Sequence, residues 1–396
     1  MPGISAVKTT IPFSRKGFSA SAYWATLIST TVENAAPADV VLTFPEEGTS
    51  VAADITCTVN GVARAVSSAS WTGGVWTVVL ASAVEYGDVV VVTFVPSGGT
   101  ANVINNVLTY AALLTSIGDG SGVSTLRMEV SADITVTLGT NAKFYSDSGG
   151  TADESATWSL TAGALRTIYL KCTTGTATMT FSDVSKVTKW GNDTTDGWTS
   201  GTGAALVTAT PGKLVNLLQL RISGRSTLIG VLPTGLTRLE LNGTFVSWTY
   251  NGALPTGIQV LLLISNLIAW TYNGALPTGI QILYLIGNSI VWTYNGMLPN
   301  ALLVINIAGI LIDWTGLNVG NSGNIGTFLL SNYRINKMSS TDMITLLTQL
   351  TNRTGPLPTT ITINDYADYA SPPAEVVAAV NALKLAKSIT TVNLGA

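Results

Sequence analysis

Trp248, Trp270, Trp292 and Trp314 stand 22 residues apart, and Leu232-Pro233, Leu254-Pro255, Leu276-Pro277 and Leu298-Pro299 keep the same step. A unit of that length cannot bury its own apolar face, so copies must stack and share one continuous core. The period therefore predicts a solenoid. Within the copies a frame LxxLxL recurs as Leu236/Leu239/Leu241, Ile258/Leu261/Leu263, Ile280/Leu283/Leu285 and Leu302/Ile305/Ile307. An earlier, less regular copy reads Val215/Leu218/Leu220, and later ones read Ile325/Phe328/Leu330 and Ile361/Ile363.

The segments LPTGIQVLLLISN and LPTGIQILYLIGN resemble the short bacterial type of leucine-rich repeat. That resemblance implies that Asn266 and Asn288 satisfy backbone groups at the bend after each strand. Thr244 and Ile310 hold the equivalent places in the flanking copies, so such an Asn ladder is two rungs long. The solenoid is placed at 201–338 and an α/β cap at 339–396. The cap reads as a helix over 339–350 with Ser340 or Thr341 as N-cap, a strand over 360–364, a helix over 373–385 and a strand over 388–393.

Upstream the texture changes to short β runs at 40–44, 55–59, 75–80 and 89–95, separated by turn signals such as Asn60-Gly61 and Gly73-Gly74. Asn-Gly favours a type I′ hairpin, whose two central residues need positive φ. The spacing predicts a β-sandwich over 34–97. The succession DVVLTF, CTVNGVARAV and VWTVVLASAVEYGDVVVVTF resembles bacterial Ig-like modules, which implies a spacer or display role. Residues 1–33, with Lys8, Arg15 and Lys16, read as an arm or docking segment. Residues 98–124 read as a linker holding one short helix over 107–117, and 125–200 as a second small β domain that caps the solenoid. The expected fold class is thus mainly β and multidomain.

Composition removes several chemistries. The chain has 0 His, which excludes Ser-His and Cys-His nucleophile pairs and His-ligated metals. The 2 cysteines, Cys57 and Cys172, have no CxxC neighbour and read as buried free thiols. A net charge of −3 supplies no basic field for nucleic acid. No cofactor is expected, and no stretch has the ~18 uninterrupted apolar residues of a membrane span. The N-terminal stretch lacks the apolar run of a signal peptide, so the expectation is folding in a cytoplasm without export by that route.

Three constellations merit a functional reading. Trp-Thr-Tyr-Asn-Gly recurs at 248–252, 270–274 and 292–296. Tyr250, Tyr272 and Tyr294 with Asn251, Asn273 and Asn295 could form a glycan ladder; the plainer reading has Trp filling the interior while Tyr, Asn and Gly shape the return turn. Second, the outward strand positions Val260, Leu262, Ile264, Ile282, Tyr284 and Ile286 are apolar, where a one-sided sheet should be polar. A partner or another part of this chain must cover them. The preceding copy is polar there, with Arg238, Glu240 and Asn242. Third, Asp193 and Asp196 with Gly197 lack the ligand alternation of a calcium loop and read as an Asx-turn.

The combination of arm, Ig-like spacer, second β domain and repeats resembles head-fibre or tail-fibre proteins of tailed bacteriophages. This implies a non-enzymatic structural and adhesive virion component, docked on capsid or tail proteins by its N-terminus. It also implies a homo-oligomer, with a trimer favoured, contact with a host-surface glycan or protein, and no nucleic acid or membrane insertion. A bacterial surface or exported leucine-rich-repeat adhesin and a virion-borne glycan depolymerase are the alternatives.

Overall fold

The structure is a computed structural model. It describes residues 26–117, 119–191, 195–200, 204–243, 246–250, 253–265, 267–272, 276–287, 290–293, 298–308, 311–313, 325–331, 339–363 and 370–394. The chain is mainly β and divides into two compact units, Met1–Leu108 and Thr109–Ala396.

The first unit holds β1 (Ser29–Glu33), β2 (Ala36–Thr43), β3 (Ile55–Val59), β4 (Val62–Arg64), β5 (Val66–Thr72), β6 (Val75–Leu80), β7 (Val90–Phe94) and β8 (Gly99–Asn106). They form one eight-stranded sheet in the order β4-β3-β7-β8-β1-β2-β6-β5. β8 joins its halves: residues 99–103 pair antiparallel with β7, and residues 104–106 pair parallel with β1. Alternate residues of both halves, among them Val40, Leu42, Cys57, Trp76, Val78 and Val92, share one core. Asn60 and Gly61 have φ of 53° and 78°, as the hairpin between β3 and β4 requires.

Two boundaries differ from the sequence reading. The last residues of the expected arm form β1, while residues 1–25 lie outside the described residues. The expected linker carries β8 and then β9 (Tyr110–Ser116), so there is no helix over 107–117. Its sequence has strand periodicity: Tyr110, Ala112 and Leu114 are buried while Leu113 is exposed.

The second unit continues with β10 (Ser124–Val130), β11 (Ile134–Leu138), β12 (Ala142–Tyr145), β13 (Thr157–Leu160), β14 (Arg166–Cys172), β15 (Thr176–Phe181), β16 (Val187–Trp190), β17 (Trp198–Ser200) and β18 (Ala205–Ala209). The repeats follow as β19 (Gln219–Ile222), β20 (Ser226–Leu228), β21 (Arg238–Asn242), β22 (Val246–Tyr250), β23 (Val260–Ile264), β24 (Ile268–Tyr272), β25 (Ile282–Ile286), β26 (Ile290–Thr293), β27 (Val304–Ala308), β28 (Leu311–Asp313) and β29 (Thr327–Ser331). The tail is α1 (Ser340–Asn352), β30 (Thr360–Ile363), α2 (Ala374–Lys387) and β31 (Thr391–Asn393). The described N-cap of α1 is Ser339, whose hydroxyl accepts from the Asp342 amide at 3.2 Å.

Two sheets run through this unit. One has 13 strands in the order β12-β14-β10-β16-β19-β21-β23-β25-β27-β29-β30-β31, with β17 against β10 and β19. The other has 10, in the order β13-β11-β15-β9-β18-β20-β22-β24-β26-β28. Each begins antiparallel and becomes parallel, at β16–β19 and β18–β20. The expected second β domain therefore caps the solenoid-like region by contributing to both of its sheets.

The LxxLxL rows line the interior: Leu236, Leu239, Leu241, Ile258, Leu261, Leu263, Ile280, Leu283 and Leu285 are all fully buried. The first copy needs a correction. β19 aligns Leu220 with Leu239 and Ile222 with Leu241, so its row is Leu217/Leu220/Ile222 rather than Val215/Leu218/Leu220. Leu218 is 42% exposed. Two overlapping apolar frames fit that segment, and pairing with β21 selects one.

Trp248 fills the interior as expected, whereas Tyr250 belongs to strand β22 rather than to a return turn. Trp248 and Tyr250 are buried on one side of β22 while Thr249 is exposed. Nor do like residues pair in this second sheet: Trp248 pairs with Ile268 and Tyr250 with Trp270. The repeat is 22 residues but the pairing offset is 20, so each strand slides by two residues. A slide of two preserves the inward face, whereas a slide of one would turn it to solvent. Trp248→Ala, which empties the interior beside the stacked Tyr250 ring (centroids 4.6 Å apart), is expected to cost about 3–5 kcal/mol in urea unfolding.

Candidate functional site

The outward face of the 13-stranded sheet collects the candidate interface residues. Parallel register builds three columns there. Arg238, Val260, Ile282 and Val304 form the first; Glu240, Leu262, Tyr284 and Asn306 the second; Asn242, Ile264, Ile286 and Ala308 the third. The six apolar positions on β23 and β25 are thus contiguous because two identical repeat frames pair without slip. Interstrand spacing of about 4.8 Å and a rise of about 3.3 Å per residue make them a compact patch.

This patch is partly covered by its own neighbours. Val260 is 8% exposed, and Leu262, Ile264, Ile282, Tyr284 and Ile286 are half-buried. If roughly a fifth of each half-buried side chain is still accessible, covering all five removes on the order of 150–200 Å², about 4–5 kcal/mol at ~25 cal/mol per Å². That matches only the lower end of the ~4–15 kcal/mol cost of association. A partner must therefore use the flanks as well.

One flank is an ionic cluster that the sequence reading did not assemble. Arg221 Nε lies 2.7 Å from Asp196 Oδ1 and 2.8 Å from Glu240 Oε2, and Arg238 pairs with the other Glu240 oxygen. Arg127 Nη1 donates to the Asp196 carbonyl at 3.1 Å and to the Thr199 hydroxyl at 3.3 Å. Lys189 pairs with Glu129 at 2.9 Å one strand further on. Glu240 is only 4% exposed, and the two guanidinium groups beside it offset the burial of its carboxylate. The signal was present in Arg238 and Glu240, but the misplaced first frame kept Arg221 from its place beside Glu240. On the other flank Asn306 Oδ1 is buried without a hydrogen-bond partner.

Of the six glycan-ladder residues, the structure describes the side chain of Tyr250 alone. Tyr250 is 5% exposed and donates its hydroxyl to the Ala253 carbonyl at 2.5 Å, and burial raises its pKa. Its ring faces the interior, away from any sugar in solvent. Tyr272 lies in β24, while Asn251, Asn273, Tyr294 and Asn295 fall outside the described residues, as do Asp193, Asn266, Asn288 and Trp314. Asp196 is an ion-pair partner of Arg221. Among the described residues no group of three or more acidic or Cys side chains is placed to hold a metal. Cys57 and Cys172 are free and buried in separate units, and desolvation pushes both thiols up. No described helix is long and apolar enough to cross a membrane. No protein-family model, curated protein or solved structure matches the chain.

The cluster yields a test of its own. Glu240→Gln keeps the shape but leaves Arg221 and Arg238 without their shared anion. It is expected to cost about 1.5–3 kcal/mol in urea unfolding, the range for hydrogen bonds to charged groups.

Proposed function

We propose that this chain is a non-enzymatic structural and adhesive component of a phage virion, in which the outward face of the parallel sheet seats another virion protein. The apolar patch on β23 and β25, held in register between the ionic cluster and the β27 rung with its central Asn306, carries the reading. Such a patch with a polar rim has the composition of a protein interface, a desolvated centre inside wetter contacts. The chemistry absent from the sequence, above all the 0 His, agrees with a binding role rather than a catalytic one.

Finer features support the virion setting. The first unit is read as an Ig-like spacer on its strand order and the parallel pairing of its first and last strands. The second is read as a leucine-rich-repeat solenoid on its period and buried LxxLxL rows. Docking by the N-terminal arm belongs to the same proposal, although residues 1–25 lie outside the described residues. A homo-oligomer, with a trimer favoured, belongs to the same proposal, on the fibre resemblance and on the same patch as a seat for other copies.

The test is the double variant Leu262→Lys with Ile286→Lys. It places two charges in the desolvated centre while leaving the interior rows untouched. Circular dichroism should be unchanged and incorporation into particles should fall at least tenfold, with light scattering reading the oligomer in parallel. Normal incorporation of a folded double variant would refute the seat. A separate assay addresses the chemistry: the purified protein should release no reducing ends from host capsular glycans, and sustained turnover would replace this reading with a depolymerase.

A further inference from the structure

Charge in the first unit is divided by position. Residues 1–25 carry Lys8, Arg15 and Lys16 and no acidic residue, a formal +3. Residues 26–108 carry seven acidic residues and a single cation, Arg64, a formal −6. The cationic segment also holds Phe18, Tyr23 and Trp24, rings that gain from burial. Residues 1–25 lie outside the described residues, but the point where the described chain begins is fixed. Leu27 packs on the core, and the Ile28 amide donates to the Thr43 carbonyl at 2.8 Å. An extended chain spans at most ~3.3–3.6 Å per residue, so Trp24 lies within about 15 Å of Ile28.

The end of the unit beside Thr43 is aromatic and acidic. Trp76 meets Phe94 edge-on with ring centroids 6.4 Å apart and stacks on Trp71 at 5.4 Å, and Trp71 meets Phe44 at 5.4 Å. Phe44, Trp76 and Phe94 are buried. Trp71 is half-buried at the rim, its Nε1 donating to the Ser50 carbonyl at 3.0 Å. Glu46 and Glu47 follow Phe44 by two and three residues and are exposed. Arg64, the one cation of residues 26–108, donates to the Ser82 hydroxyl.

We propose that residues 18–25 fold back on this end of their own unit as a strap. Tyr23 and Trp24 lie against the rim formed by Trp71 and Phe44, and Arg15 and Lys16 are drawn to Glu46 and Glu47. Three features select this segment of the chain as the occupant. Its tether to Ile28 is only a few residues long, which makes docking intramolecular at an effective concentration in the millimolar range. Its charge is opposite to that of the surface it meets. Its rings can form the offset or edge-on pairs that aromatic side chains prefer. The strap fixes where the arm leaves the unit, so that residues 1–14 remain to dock elsewhere. It depends neither on that docking nor on the patch of the second unit.

Limited chymotrypsin digestion of the full chain tests it, each rate scaled by that of the same bond in a synthetic peptide. Cleavage after Tyr23 should be at least tenfold slower than after Phe13, which precedes the strap. Trp24→Ala should raise cleavage after Tyr23 at least tenfold and speed amide hydrogen exchange over 44–50 and 70–73, with exchange in β7 unchanged. Glu46→Lys with Glu47→Lys, at two exposed positions outside the core, should raise the same cleavage at least threefold at low salt. Equal cleavage after Tyr23 and Phe13 overturns the proposal, as does protection that survives Trp24→Ala. Protection that falls on dilution overturns it too, since the arm of a second copy then covers the rim. So does protection that requires an added virion protein. All readings are taken on the isolated chain, so a failure of the virion seat leaves the strap standing.

Discussion

Parallel pairing between successive repeats is the constraint on which the second unit rests. No rung has a core until its neighbours supply the other walls, so the pairing offset decides which residues are inside. The first sheet uses an offset of 22, equal to the repeat, and the second an offset of 20. The two offsets differ by two, an even number, so the slide keeps the same side of each strand facing inward. The consequence differs between the sheets. In the first, like residues stack and the outward apolar positions merge into a patch; in the second, the backbone of Tyr250 pairs with that of Trp270, two positions short of its own repeat copy.

A stack of this kind needs an end that does not invite further stacking. The antiparallel strands β9 to β16 provide it by occupying the first positions of both sheets with different hydrogen-bond geometry. The ionic cluster lies at that junction. Arg221 on the first parallel rung reaches back to Asp196 and forward to Glu240, so one guanidinium ties the cap to two rungs. Glu240, the most buried member, is shared by Arg221 and Arg238, so the ion pairs join the first two parallel rungs in this register.

Much of the architecture was legible because period and alternation are local signals. The repeat frames from Leu236 onward, the strands at Ile55–Val59 and Val75–Leu80, and both tail helices follow from spacing and capping chemistry alone. What was hidden depended on pairing. β9 passed for a helix because a run such as YAALLTS carries few polar residues to mark its period. β5 was missed because serine-rich edge strands lack an apolar alternation. The first repeat frame was ambiguous until β21 fixed it, and with it the place of Arg221. The apolar patch was readable from the outward positions, yet its half-burial was not, since that comes from neighbouring rungs.

The same stacking rule explains where charge is absent. No charged residue occurs between Glu240 and Asp313, the stretch that contains the most regular repeats. In an unslipped parallel sheet a charge at a repeated position would meet its own copy about 4.8 Å above and below. Two like charges at that distance repel by about 3–4 kcal/mol at an effective dielectric of ~20, and the penalty recurs at every rung. Uncharged polar side chains such as Gln259 and Gln281, one repeat apart, escape it. Charge returns where sequence identity between neighbours ends, as with Arg221 beside Glu240, because only unlike neighbours can pair opposite signs. The repeats therefore confine ion pairs to the junction and leave apolar or neutral side chains on the outward face. That division produces an apolar patch beside an ionic rim without any residue being placed there singly.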